Sequence, residues 1–383
     1  MSDHQTTPKF DAMLLSTSDE DLLARAFSTD DPNSLDNIIE RIPETTEIPV
    51  IEFSYDVTPS KSKRNDRPYL WCAHCGYKTH WRGFVMRFND GTRFLLGKDC
   101  GSKMYGADFN GVHRTFEVQR SRQRRLRRYF SAREQLPALL ADLRALLSDP
   151  IHETYVVFKS DLRRRFPQLF HELTEIARRA DSVLYVEDRT RDYAAEQRRD
   201  DRHRKEEEDF ANLTQTQRKK LRERGLEPKR ESRFLYQTNR RQIGVLSGGQ
   251  FLKSTSIPKD VISDCVVRLS GIHSEMSARK TDNMRTEQIQ AVLNLAKGLM
   301  NRIEEQLDAI ESIIQFFGTR NLEIVAAWAS ANPQCQGSYK PEGGGVTGRF
   351  DGTGGENVSI EKPPNYMLIR PSSMALFKSI LVE

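Results

Sequence analysis

WCAHCGYKTHWRGFVMRFNDGTRFLLGKDCGSKMYG, residues 71–106, is the stretch on which the reading of this chain turns. Cys72 and Cys75 form a Cys-x-x-Cys pair, a spacing at which two thiolates can turn around one tetrahedral ion. Gly76 lets the backbone tighten behind them. GFVMRF and TRFLLG then flank an Asn-Asp-Gly turn, the pattern of a β-hairpin. Gly97 ends the second strand, and Cys100 falls in the first turn of a following helix, with Asp99 as the expected N-cap. A thiolate there is favoured by the helix dipole and the free amide hydrogens. The chain has five cysteines, an odd number, and its N-terminal segment reads as no secretion signal. Metal binding is therefore preferred to a disulfide framework. Cys265, in an apolar stretch, is expected as a buried thiol, and Cys335 receives no role.

Knuckle, hairpin and ligand-bearing helix in this order resemble the treble-clef zinc fingers, over residues 70–106 only. The resemblance implies a fold and a zinc ion. It leaves open whether the unit binds nucleic acid, binds protein or acts as scaffold. The helix position four beyond Cys100, where the pattern places a Cys or His, holds Met104, a poor zinc ligand. His74 lies between the two cysteines and points away from their ion. Of His80 and His113, His80 needs the shorter loop and is preferred. The expected ligands are thus Cys72, Cys75, Cys100 and His80. No His-Glu-x-x-His or comparable base accompanies them, so the zinc reads as structural and no catalytic residue is assigned.

Next comes HRTFEVQRSRQRRLRRYF, residues 113–130. Between His113 and Arg133 there are eight arginines and one glutamate. On a helix Arg120, Arg124, Arg127 and Arg128 share one broad face, and guanidinium groups suit phosphates. Arg120, Arg122, Arg124, Arg125, Arg127 and Arg128 are the candidate nucleic-acid contacts, to phosphates more than to base edges. Acids from elsewhere, the N-terminal region or the Glu206–Asp209 run, are the competing explanation for the same charge.

Outside this region the expected organisation is an N-terminal helical and strand region (1–66), the zinc module (67–112), a basic helix and helical domain (113–186), a charged helix or linker (187–228) and a C-terminal α+β domain (229–383). The fold class is α+β and mainly helical, with a C-terminal helical hairpin. Glu47 to Val57 reads as a strand, preceded by a Ser-Thr-Ser-Asp cap cluster near residue 18. LPALLADLRALL is an amphipathic helix ended by Pro150; Thr154 to Phe158 reads as a short strand; Asp161 to Arg179 is a helix broken at Pro167. Thr214 and Gln217 fit a capping box. Ile289, Val292, Ala296, Leu299, Ile303, Gln306, Ile310, Ile313 and Phe317 alternate by three and four, a coiled-coil seam within an assembly segment at 285–317. A second helix follows Gly318 with Asn321 as cap. Residues 337–355, rich in glycine, read as a loop.

The 383 residues are 37% hydrophobic and 30% charged, with a net charge of +5. Two or three compact units fit that length. No run of 18 apolar residues appears, so no membrane span is expected, and the cytoplasm is the default location. LSGGQ at Leu246–Gln250 copies the letters of an ABC-type ATPase loop but lacks any Walker A partner. The function expected is non-catalytic nucleic-acid binding, DNA rather than RNA, by a homo-oligomer with structural zinc. The alternative is a zinc-stabilised protein-interaction adaptor.

Overall fold

The computed structural model describes residues 18–58, 70–78, 80–228, 234–350, 357–363 and 368–382. It is a mixed helix-and-sheet protein with small antiparallel sheets. Two units divide the chain: 1–144 with 265–301 and 371–383, and 145–264 with 302–370. No helix among the described residues is long and apolar enough to cross a membrane.

In the first unit, Ser18 caps helix α1 (Asp19–Ala24), its hydroxyl accepting from the Asp21 amide. That bears out a cap at Ser18; Ser16 and Thr17 of the cluster, and the apolar positions before them, lie outside the described residues. Strands β1 (Val50–Asp56), β2 (Arg82–Arg87) and β3 (Arg93–Leu96) form one antiparallel sheet in that order. The expected hairpin is β2–β3, with Gly91 in its turn at φ 87°. Alternation along the strands gives the sheet two apolar faces. Phe84, Met86, Phe94 and Leu96 face one side, where Phe109, Val112 and Phe116 meet them. Tyr55, Val57, Leu70, Val85 and Leu95 close the other.

Helix α2 (Lys98–Leu147) supplies Phe109, Val112 and Phe116. It is two arms, 98–105 and 107–147, joined at Gly106 with φ 57° and ψ −125°. Phe84 lies edge-on to both Phe109 and Phe116, with centroids 6.2 Å away in each case. Fully buried rings of this size contribute about 2–3 kcal/mol each by area. Cys100 is in the first turn as expected, but Asp99 is inside that turn rather than its cap.

Arg122 joins distant parts of this unit. Its Nε and Nη2 form a two-pronged pair with the Asp19 carboxylate at 2.6 and 2.8 Å. The remaining donors reach the carbonyls of Met284 and Thr281 and the Thr286 hydroxyl. Asp19 in return accepts no water-exposed role: its side chain is 6% accessible. Arg128 donates to the carbonyls of Ile380 and Leu381, capping the last turn of the C-terminal helix Ser372–Val382.

The second unit contains α3 (Ile151–Arg165) and α4 (Pro167–Arg178), broken at Pro167 as the sequence requires. Thr154 to Phe158, expected as a strand, is inside α3. Its β-branched run is outweighed by the helical spacing of buried Ile151, Tyr155, Phe158 and Leu162. Strands β4 (Val183–Arg191) and β5 (Tyr236–Val245) pair as an antiparallel ribbon. Between them, the charged segment forms α5 (Tyr193–Ala211) and α6 (Gln215–Glu223), and the Thr214–Gln217 capping box is present. Helix α7 (Gln250–Lys253) follows the LSGGQ string, in which Gly248 has φ 67°. A Cβ at Gly248 would run into the Ser312 carbonyl and the Phe316 amide, so this glycine is there for close backbone approach.

Helices α8 (Pro258–Ala278) and α9 (Thr286–Phe316) each run through both units. The seam residues Ile289, Ala296, Leu299, Ile303, Ile310, Ile313 and Phe317 are buried within the single chain. The expectation of self-association through that seam therefore loses its exposed surface: the stripe serves the interior. Helix α10 (Thr319–Ala331) completes the helical hairpin. Its cap is Gly318, not Asn321, whose buried amide instead accepts from the Ser247 amide and donates to the Phe316 carbonyl. The loop expected over 337–355 is corrected for 337–350, while 351–355 lie outside the described residues. Strands β6 (Gly337–Glu342), β7 (Gly345–Phe350) and β8 (Asn357–Ile360) form a sheet, with Gly343 and Gly344 at positive φ making the first turn. The closing helix Ser372–Val382 is α11.

Two substitutions test this packing. Asp19→Ala leaves the Arg122 guanidinium buried and half-satisfied, and should lower unfolding free energy by about 3–5 kcal/mol. A denaturation midpoint equal to that of the parent would show that the pair is dispensable. Gly248→Ala should cost roughly 2 kcal/mol or more, because it combines strained φ with a backbone collision; thermal denaturation measures it.

Candidate metal centre and arginine face

The knuckle is built by short backbone bonds. The Gly76 amide donates to the Cys72 carbonyl at 2.8 Å, and the Cys72 amide to the Tyr77 carbonyl at 3.2 Å. The His80 amide donates to Leu70, and the Ala73 amide to Leu95 on β3, at 2.9 Å. This fastens the knuckle to the sheet edge. Gly76 takes φ 69°, the left-handed conformation the turn needs. From the other side, the 98–105 arm of α2 brings in Cys100. A Cβ at Gly101 would collide with the Phe109 ring, so that glycine lets the arm fold down on the long helix.

The result is three sulfurs, Cys72, Cys75 and Cys100, all within 4.8 Å of one another. A tetrahedral ion with metal–sulfur bonds of about 2.3 Å spaces its sulfurs about 3.8 Å apart, so this cluster can hold a metal ion. Cys72 is buried, Cys100 half-buried and Cys75 exposed. Burial pushes the Cys72 thiol up. The backbone N–H groups of Cys75, Gly97 and His74, with the Cys75 thiol, outweigh it and hold Cys72 below the ordinary thiol range. Amides aimed at a sulfur are what a metal-bound thiolate requires. Cys100 is pushed up to about 12, first by burial and then by hydrogen bonding and charge from Cys75 and Cys72. Three sulfur donors held against one another without a cation repel as thiolates; a bound cation removes that conflict.

His80 does not join them. Among the described residues no His, Asp or Glu completes the group. The His80 Nδ1 lies 2.6 Å from the Tyr55 hydroxyl, and burial lowers its pKa. Its Nε2 side rests against Gly97, where a Cβ would collide with it. The shorter loop does bring His80 back to the sheet, but onto Tyr55 rather than onto the sulfurs. His113 lies on α2, stacked on Phe109 with centroids 6.1 Å apart and edge-on to Phe84. Met104 is exposed. What sequence reasoning missed is Gly97: GlyLysAspCys is a second turn whose amide serves the first cysteine, a signal legible in the Gly three residues before Cys100.

The six arginines divide. Arg122 and Arg128 face inward, as described above. Arg120 pairs with Glu117 at 3.6 Å. Arg124 and Arg127 are exposed and Arg125 is half-buried. These three, and exposed Arg114 about three to four turns before them, have no carboxylate partner among the described residues. Helical geometry puts Arg120, Arg124 and Arg127 along one side of the 107–147 arm. The acidic N-terminal region thus covers Arg122 through Asp19 and accepts from Arg127 at the Leu23 carbonyl, 3.5 Å, while leaving Arg124 exposed.

Comparison of the chain with protein-family models, with curated proteins and with solved structures finds no match.

The metal reading predicts about one bound metal ion per chain in elemental analysis of the purified protein. Cys72→Ser should abolish it and destabilise the first unit, since binding energy is part of folding. His80→Ala should keep the stoichiometry; a metal-free His80→Ala protein would return that residue to the ligand set.

Proposed function

We propose that this protein binds nucleic acid, DNA in the first instance, through the outer arginines of α2, with a structural zinc ion at Cys72, Cys75 and Cys100. The observation that carries the reading is the set Arg114, Arg124, Arg125 and Arg127, three exposed and Arg125 half-buried, with no carboxylate partner among the described residues; Arg127 reaches only the Leu23 carbonyl, at 3.5 Å. An exposed stripe of one sign attracts a polyanion and is costly to leave uncompensated otherwise. Zinc is the ion that best suits an all-thiolate donor set in a site whose task is to hold a fold together. Its part would be to tie the knuckle to the first arm of α2, and so to orient the helix that carries the arginines. The resemblance of residues 70–106 to treble-clef fingers supports the same arrangement. An adaptor reading has one observation in its favour: Arg122 and Arg128 are spent on Asp19 and on α11. With Arg120 paired to Glu117, that engages half of the candidate set and leaves Arg124, Arg125 and Arg127 without a carboxylate.

Replacing Arg124, Arg125 and Arg127 together with Ala should weaken binding to duplex DNA roughly equally for all sequences. Each phosphate contact removed should lower the slope of log affinity against log salt by about 0.9. The measurement is fluorescence anisotropy across a salt series. An unchanged slope places the contact surface elsewhere, and a parent protein that binds no nucleic acid at low salt leaves the adaptor reading.

A further inference from the structure

Residues 74–78 of the knuckle are all exposed. Two large rings flank its thiols on the outside: Tyr77 is 61% accessible and Trp71 40%. Neither ring is required by the sheet, whose outer face is already closed by Leu70, Val85 and Leu95. A tryptophan and a tyrosine left outside on one short turn mark a contact surface rather than a core. Charge indicates the kind of contact. The Lys78 ammonium lies 4.7 Å from the centroid of the Trp71 ring, placing a cation and a stacking surface together. From Leu70 to Trp81 the sequence contains no Asp or Glu. Lys98 and Lys103, both exposed, sit on the arm that brings Cys100 within 4.8 Å of the knuckle sulfurs, and Asp99 is the one acid of that arm.

An aromatic ring beside one ammonium group, with two more exposed lysines on the neighbouring arm, matches a polyanion whose rings are free. In a duplex the base faces are hidden in the stack, and only phosphates and groove edges are offered. In a single strand each base presents a π-face, and aromatic side chains receive it. A protein partner would use the rings but gain little from the surrounding cations unless it were acidic.

We propose that the knuckle is a stacking site for single-stranded nucleic acid, Trp71 and Tyr77 receiving unpaired bases while Lys78, Lys98 and Lys103 face the phosphates. This rests on the nucleic-acid reading above and names the strand state that reading left open. The arginine stripe tracks the backbone of either form; the knuckle distinguishes them.

The test uses the full-length metal-loaded protein, a labelled oligo(dT), and the duplex of the same length formed with oligo(dA), by anisotropy at fixed low salt. The Trp71→Ala/Tyr77→Ala double variant should lose roughly tenfold or more in affinity for oligo(dT). Its affinity for the duplex should change by less than about threefold. Trp71→Phe, which keeps a ring, should retain most of the single-strand affinity. Metal content and circular dichroism of the double variant should equal the parent's, because both side chains are on the surface; an unfolded variant is replaced by the single Tyr77→Ala change, for which the same preference holds. Equal losses on both nucleic acids overturn the single-strand preference and make the rings a general nucleic-acid contact; no loss on oligo(dT) overturns the stacking site, leaves the arginine reading standing and assigns the rings to a protein partner. A parent protein that binds neither form overturns both.

Discussion

The guanidinium of Arg122 holds together pieces of chain that sequence separates widely. Asp19 is 103 residues before it, and Thr281, Met284 and Thr286 are 159 to 164 residues after it. An arginine can do this because its planar fork carries five donors in fixed directions, so one side chain satisfies a carboxylate and a helix-start corner together. A lysine at the same place would supply a point charge and lose the geometry. The first unit is discontinuous in sequence, and this contact binds its N-terminal helix to the approach of α9. The three-stranded sheet, the knuckle and the arginine stripe are all positioned on the helix that Arg122 anchors.

That contact also explains the uneven legibility of the arginine run. Composition and helical spacing identified one basic face, and part of it is there. Spacing placed Arg122 off the face of Arg120, Arg124 and Arg127 but could not separate Arg128 from them, since these lie on one side of the helix and differ in which way a neighbouring segment passes. The deciding partners, Asp19 and the carbonyls of Ile380 and Leu381, are remote, and long-range contacts leave no local mark. The same limit applies to the helix stripe of α9. Its spacing correctly gave the helix, but period alone does not say whether Ile289 and Leu299 pack within a chain or between chains; here they pack within. At Thr154–Phe158 local preference for strand yielded to burial of Tyr155 and Phe158 on one helical side.

The thiol cluster was more legible because its constraint is local. Cys-x-x-Cys, an Asp-Gly hairpin and a cysteine at a helix start specify one another through short loops. Three sulfurs accordingly meet, and the cost of bringing them together is met by amides of the same loops, Gly97 included. His80 shows where loop length stops being informative. A short return path does place it beside the sheet, but direction is set by Tyr55, whose hydroxyl lies 2.6 Å from Nδ1, and by Gly97, against which the Nε2 side rests. Burial pushes that hydroxyl's pKa up, so the partner stays neutral and the contact needs no charge.

The interleaving of the two units bears on how the chain is made. Synthesis delivers the knuckle, the hairpin and the Cys100 turn before residue 110, and every thiol of the cluster is then present. The carbonyls that Arg122 needs come about 160 residues later, and those of Arg128 about 250 residues after it. At about 5–20 residues per second, the interval between Arg122 and its carbonyl partners is roughly 8–30 s. During it the whole second unit's first segment, 145–264, emerges between two halves of a structure that is still open. A cation held by Cys72, Cys75 and Cys100 would give the nascent chain one finished corner through that wait, so that availability of the ion during translation, rather than afterwards, would govern the yield of correctly joined protein.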